Sequence, residues 1–306
     1  MTFRRSDFDV SNRINTTDPV CVKLEVSRIY RNLYEADCPA LGRAFDDLVR
    51  LYYGQYPGYT RCDTQYHDLQ HVLDVTLAMA RLVDGYQRTR GQAPSIEREH
   101  FQLGIVCALF HDCGYIRRQS DTRHRNGAAY TTTHVSRGGK FLKGYLPEIG
   151  LGKYADVAGA ILHFTGYERP VETIRLDDPM LRLVGSLLGS ADIIAQMSDR
   201  CYLEKCRDRL YAEFVEGGIT RKKTGEGEVV VFASPEDLLR KTPSFYQNAS
   251  RRLETDLGGA YKYAEAHFGG SNLYMDAVRE NIRWVERASN ETAGVPLRRQ
   301  PPSTID

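Results

Sequence analysis

The sequence predicts an all-α fold, a helical bundle with one short hairpin, on three observations. Apolar residues recur at helical spacing along most of the chain. Glycine and proline cluster between those stretches. One segment alone, GITRKKTGEGEVVVF, combines turn chemistry with a β-branched run, placing a turn at Gly225 to Gly227 and a strand at Val229 to Phe232.

Helices are expected in order. The first, 21–36, stops before Pro39, and the second, 40–54, before Pro57–Gly58. The third, 66–88, carries Leu69, Val72, Leu73, Thr76, Leu77 and Ala80 in an apolar stripe and ends before Gly91–Pro94. A nearly continuous apolar stretch, 97–113, ends at Gly114; 131–146 ends at Pro147–Gly152, and 153–165 at Gly166. Helices 177–197 and 199–216 precede Gly217–Gly218, 235–267 runs to Gly269–Gly270, and 273–289 completes the set. No internal repeat or polar linker divides them. One helical domain over 21–290 is therefore expected, with an N-terminal extension, 1–20, and a mobile tail, 291–306, rich in Pro, Arg and polar residues.

Composition narrows the function classes. The 306 residues, 42% apolar and 26% charged, are ordinary for a soluble globular protein. A net charge of +1 argues against a nucleic-acid polymer or an anionic membrane as partner, while leaving room for a small anionic substrate. The N-terminus has no apolar core of signal-peptide length, and no apolar run is read as long enough to span a bilayer. The seven cysteines form an odd set without a CxxC pair, with Cys107 and Cys113 in or beside an apolar run. A reduced, cytoplasmic protein is expected, with homo-oligomerisation left open.

The chemistry concentrates in a few segments. In "QYHDLQHVLDV", His67, His71 and Asp74 fall at i, i+4 and i+7, on one face if the helix starts at 66. They are either solvated polar residues of an amphipathic helix or groups facing a common ion. "CALFHDCGY" ends an apolar helix on His111 and Asp112, "VAGAILHFTGY" ends another on His163, and "SLLGSADIIAQM" embeds Asp192 in a third. A carboxylate among so many apolar residues must be paired, hydrogen-bonded or bound to a cation. Imidazole and carboxylate ligands without thiolates suit Fe, Mn or Zn, and also permit Mg.

The order His71, His111–Asp112, Asp192 resembles the H…HD…D signature of the HD-domain metal-dependent phosphohydrolase superfamily, over about residues 60 to 200. The resemblance implies an HD-type helical bundle whose metal core spans 60–200, with C-terminal helices over 200–290. His134 and His163 match the extra histidines of members with two divalent metal ions. It further implies that His71, His111, Asp112 and Asp192 hold one ion, and that Asp112 bridges to a second held by His134 and His163. "YHDLQHVLDV" is similar to the YHNxxHxxDV motif of class I cyclic nucleotide phosphodiesterases, with Asp68 in place of Asn. By that likeness His71 is a ligand, and His67 and Asp112 are catalytic, His67 as the general acid that protonates the leaving oxygen. Two departures stand out: HDCGY replaces HDxxH, and the HHExxDGxGYP run of another subgroup is absent.

Weaker candidates flank this set. Arg137 and Lys140 in "HVSRGGKFL", and Gln247 in "SFYQNAS", are candidate substrate contacts, though RGGK is no P-loop and the aromatics of the second segment suit a core. Arg117 and Arg118 suit either a pocket rim or plain surface. His100, His124 and His267 read as surface histidines. The expected function is metal-dependent hydrolysis of a small phosphodiester, plausibly a cyclic nucleotide. The alternatives are an HD-type di-iron oxygenase, which shares the same ligand order, and a nucleotide-binding regulatory module.

Overall fold

Helix α3 (Leu69–Thr89) begins where it does because the Asp68 side chain accepts a hydrogen bond from the His71 N–H, at 2.9 Å. Ahead of it lie α1 (Pro19–Tyr34), capped by Asp18, and α2 (Pro39–Tyr52); each starts on a proline. After it come α4 (Arg98–Phe110), α5 (His134–Glu148), α6 (Ala158–Leu162) and α7 (Pro179–Ser198), the last capped by Asp178. Helix α8 (Tyr202–Lys205) passes through a π-helical turn, Cys206–Leu210, into α9 (Tyr211–Glu216). Strands β1 (Arg221–Thr224) and β2 (Gly227–Val230) form an antiparallel hairpin with Arg221 opposite Val230. Helices α10 (Pro235–Glu254), α11 (Tyr263–Phe268) and α12 (Leu273–Ser289) follow. This computed structural model describes residues 4–225, 227–289, 297 and 299–303.

The fold is all-α with one short hairpin, the only sheet among the described residues. Helix α3 sits at its centre, packed by α1, α4, α7 and α11. Its neighbours α4 and α7 are apolar nearly all round, as helices buried on every side must be. Helix α7 is long and apolar enough to cross a membrane, contrary to the reading of the sequence, and 72% of its apolar window is buried inside the fold. The N-terminal segment is fastened to the same core. Arg81 on α3 is fully enclosed and pairs with Asp9 at 2.6 Å and with the Tyr274 hydroxyl at 3.0 Å.

Four elements differ from expectation. The third helix starts at Leu69, so His67 stands in the bend before it and does not share a helical face with His71 and Asp74. The stretch 235–267 breaks after Glu254, because Gly258 and Gly259 adopt positive φ of 62° and 71° that end one helix and redirect the chain. The hairpin lies about two residues earlier than read, with Val229 in β2 and Phe232 beyond it, stacked on Phe214. Most of the tail expected to be mobile lies outside the described residues. Two described residues of it are tied down: Arg299 donates its N–H to Glu204, and Pro302 accepts from Arg209.

Candidate metal centre

Two helix ends and the middle of a third helix converge at one buried point. His71 comes from the first turn of α3, His111 and Asp112 from the end of α4, and Asp192 from the middle of α7. Asp112 Oδ2 lies 3.2 Å from both His71 Nε2 and His111 Nε2, which are 3.4 Å apart. Asp192 Oδ1 is 3.5 Å from His71 Nε2 and 3.8 Å from His111 Nε2. On the other side of Asp112, Oδ1 faces His134 Nε2 at 3.5 Å.

The donor set fits a metal ion on grounds of hydrogen bonding. Asp112 Oδ2 is buried and receives no well-formed hydrogen bond despite two nitrogens at 3.2 Å. The reason is visible on the far side of the rings. His111 Nδ1 donates to the Ala108 carbonyl at 2.8 Å and His134 Nδ1 to the Thr131 carbonyl at 2.7 Å, so as neutral rings both turn an Nε2 lone pair inward. Such outward donation is how ligand imidazoles are ordinarily fixed. Lone pairs aimed at a carboxylate need a cation between them. The ligand atoms of His71, His111 and Asp112 all lie within 4.8 Å of one another, a group that can hold a metal ion.

Without a cation between them, the carboxylates would instead draw protons onto these rings. Burial pushes the Asp112 carboxyl up, yet His111 and His67 hold it well below the usual carboxylate range. Burial alone would lower His111, but Asp112 and Asp192 raise it to about 9. Burial keeps His134 below its ordinary value.

His67 is beside the cluster and outside it. Its ring meets His71 edge-on with centroids 5.8 Å apart and stacks on Tyr115 at 4.3 Å; Tyr115 in turn stacks on His134 at 4.3 Å. The buried Glu213 of α9 takes the His67 Nδ1–H at 2.5 Å and the Tyr66 N–H at 2.5 Å. Burial opposes protonation of His67, but Glu213 and Asp112 outweigh it and raise the imidazole to about 8. Three residues of the α8–α9 run grip the bend and start of α3 in sequence: Lys205 reaches Gln70, Arg209 reaches Asp68, and Glu213 reaches His67.

The remaining candidates divide. His163, at the end of α6, donates its Nδ1–H to Glu168; among the described residues no ion pair joins it to Asp112. Arg137 donates to the carbonyls of Gly114 and Ile116 and lies 3.5 Å over the Tyr130 ring. Its role is to brace the turn that follows Asp112. Lys140 is exposed, and Gln247 is exposed on the side of α10 opposite its buried stripe of Leu238, Leu239, Ala249 and Leu253; neither is tied to the cluster. Arg117 is paired with Asp63, and Arg118 lies over Tyr59. His267 is no surface histidine, since it bonds Asp84 at 2.6 Å.

Sequence reasoning missed Glu213, Tyr115 and Glu168. Glu168 is five residues from His163 and could have been suspected as its partner. Tyr115 stands where HDxxH would place a histidine. Glu213 is more than a hundred residues from His67 and has no motif.

Gly114 lets this turn approach α5. A Cβ there would sit 1.8 Å from the His134 carbonyl oxygen. Gly114→Ala is expected to cost about 2–3 kcal/mol, as overpacking does, and to displace His134. An unchanged urea midpoint would show that the turn moves aside freely.

A family profile described as Npun_R2479-like matches residues 118–270. The chain belongs to the Npun_R2479-like family. The matched half carries His134, His163, Asp192 and Glu213, and stops short of the His67–Asp112 half of the site. No curated protein and no solved structure matches the chain.

Proposed function

We propose that this Npun_R2479-like protein is a metal-dependent phosphohydrolase of the HD-domain type, cleaving a small phosphodiester, plausibly a cyclic nucleotide. The observation that carries the reading is His67. Its imidazole is held by a buried carboxylate, pushed toward the protonated form by Glu213 and Asp112, and set edge-on to His71. Glu213 fixes Nδ1, which leaves Nε2–H as the proton to deliver to a departing alkoxide. The resemblance of "YHDLQHVLDV" to the phosphodiesterase motif points the same way.

Bound divalent ions would neutralise phosphoryl oxygens and lower the pKa of a water nucleophile. His71, His111, Asp112 and Asp192 would hold one ion, of Fe, Mn, Zn or Mg. Asp112 would share a second with His134 and His163. The chain's own part is orientation: Glu213 and Tyr115 keep His67 in place, and Arg137 holds the turn after Asp112.

Metal analysis of the purified protein, then a screen of cyclic and linear phosphodiesters under strict anaerobiosis, tests this. Cleavage without oxygen is expected. Activity that requires oxygen would assign the same ligands to an oxygenase, and tight nucleotide binding without turnover in any of the four metals would leave a regulatory module.

The ligands also join α3, α4 and α7. Removing metal with a chelator is therefore expected to lower the melting temperature, since metal at a thousandfold excess over its Kd stabilises by about 4 kcal/mol. An unchanged melt after verified metal removal would mean that packing alone sets the site.

A further inference from the structure

The imidazoles around Asp112 are not all fixed alike. His111 and His134 donate Nδ1–H to backbone carbonyls, and His163 donates to Glu168. For His71 no described residue accepts at Nδ1, although Nε2 already faces Asp112 and Asp192. Beside His71 lies a small cavity of about 10 Å³, whose polar lining residues are Tyr66, Asp74, Gln196, Asp199, Tyr202 and Lys205. That is room for one water, and the walls are polar enough to keep it.

We infer that a water in this cavity accepts the His71 Nδ1–H and is held by Asp74, making Asp74 a positioning residue for His71. Asp74 is chosen because the other polar groups of the cavity are already engaged, the Tyr202 hydroxyl with Cys206. Asp199 spends one oxygen on Lys205 Nζ at 2.6 Å and the other on the Cys201 N–H at 2.6 Å. Gln196 Oε1 receives the Tyr66 hydroxyl at 3.3 Å. Lys205 has no acceptor and already donates to Gln70 and Asp199. A hydrogen bond from Thr16 favours the Asp74 carboxylate, and among the described residues no ion pair engages it, which leaves an oxygen for the water. It stands one turn after His71 on α3 and also borders a second cavity of about 10 Å³ on the N-terminal side. Burial and the adjacent Asp199 push its carboxyl up to about 8, and with or without its proton the group keeps an oxygen that can accept.

The inference rests on reading His71 as a metal ligand, and the test separates the two. Mn²⁺ affinity is measured by chelator competition on the full chain and on two variants. Asp74→Leu removes the acceptor and fills the space, and is expected to weaken Mn²⁺ binding about 10–100-fold, the usual effect of losing such a partner. Asp74→Asn keeps a carbonyl oxygen and should stay within about threefold of the parent, a rescue that a loss of packing would not give. A parent chain that binds no Mn²⁺ would overturn the metal reading, and this inference with it. A folded Asp74→Leu variant that binds within twofold of the parent would overturn the inference alone. Should that variant not fold, a crystal structure of the parent decides. An ordered water within hydrogen-bond distance of both His71 Nδ1 and Asp74 supports the inference, and a dry cavity overturns it.

Discussion

His67→Ala is expected to keep its metal and lose turnover by about 10²–10⁴-fold, the range for removing a positioned acid. The ring touches the cluster through stacking and edge contacts, so its removal takes away no ligand. The loss should shrink for a nitrophenolate leaving group, which departs without needing a proton. Equal impairment on good and poor leaving groups, with metal intact, would make His67 a binding or orienting residue. The pH profile gives a second check. A donor raised to about 8 by Glu213 and Asp112 keeps its proton at neutral pH and loses it above that value, so kcat/KM should fall on the alkaline side. Cations bound nearby oppose its protonation, which sets that limb at or below pH 8. Glu213→Gln, which retains a hydrogen bond without the charge, should move the limb to lower pH.

Asp112→Ala is expected to abolish both metal binding and metal-dependent activity. One oxygen faces His71 and His111 and the other faces His134, so a single side chain serves both halves of the cluster. His71→Ala should likewise lose metal and turnover together. His134→Ala should empty one site in preference to the other, because His134 faces Asp112 Oδ1 alone, and His163→Ala should do the same if His163 is the second ligand of that ion. Elemental analysis of each variant reads the result. One ion in a fully loaded crystal of the parent, seen by anomalous scattering, would reduce the centre to a mononuclear one.

The helical architecture was legible because its signals are local. Apolar spacing and Gly–Pro punctuation located all ten expected helical stretches, and the misreadings have local causes too. The third helix begins late because Asp68 caps it, which a window centred on Leu69 to Ala80 does not register. The 235–267 stretch keeps its apolar rhythm across Gly258 and Gly259, so only the backbone angles reveal the break. In the site, His71, His111, Asp112 and Asp192 were legible as polar residues in apolar helices, where each must find a partner. Glu213 was not, because a glutamate in "YAEFVE" looks like any solvated helix residue until the fold buries it. Tyr115 was hidden by a pattern that asked for histidine. Arg137 misled in the opposite direction, since its charge suggested phosphate where it braces the backbone of the turn.

The π-helical turn at Cys206–Leu210 makes this part of the chain a ruler. Lys205, Arg209 and Glu213 are spaced by four residues and meet Gln70, Asp68 and His67. In a regular α-helix, four residues overshoot a full turn by about 40°, so eight would swing Glu213 some 80° away from the line set by Lys205. The wider π turn absorbs much of that drift. The number of residues within 206–210 fixes where Glu213 points. One residue fewer or one more would rotate everything after it by about 100°, and the carboxylate that holds His67 would point elsewhere with the His–Asp cluster itself still in place.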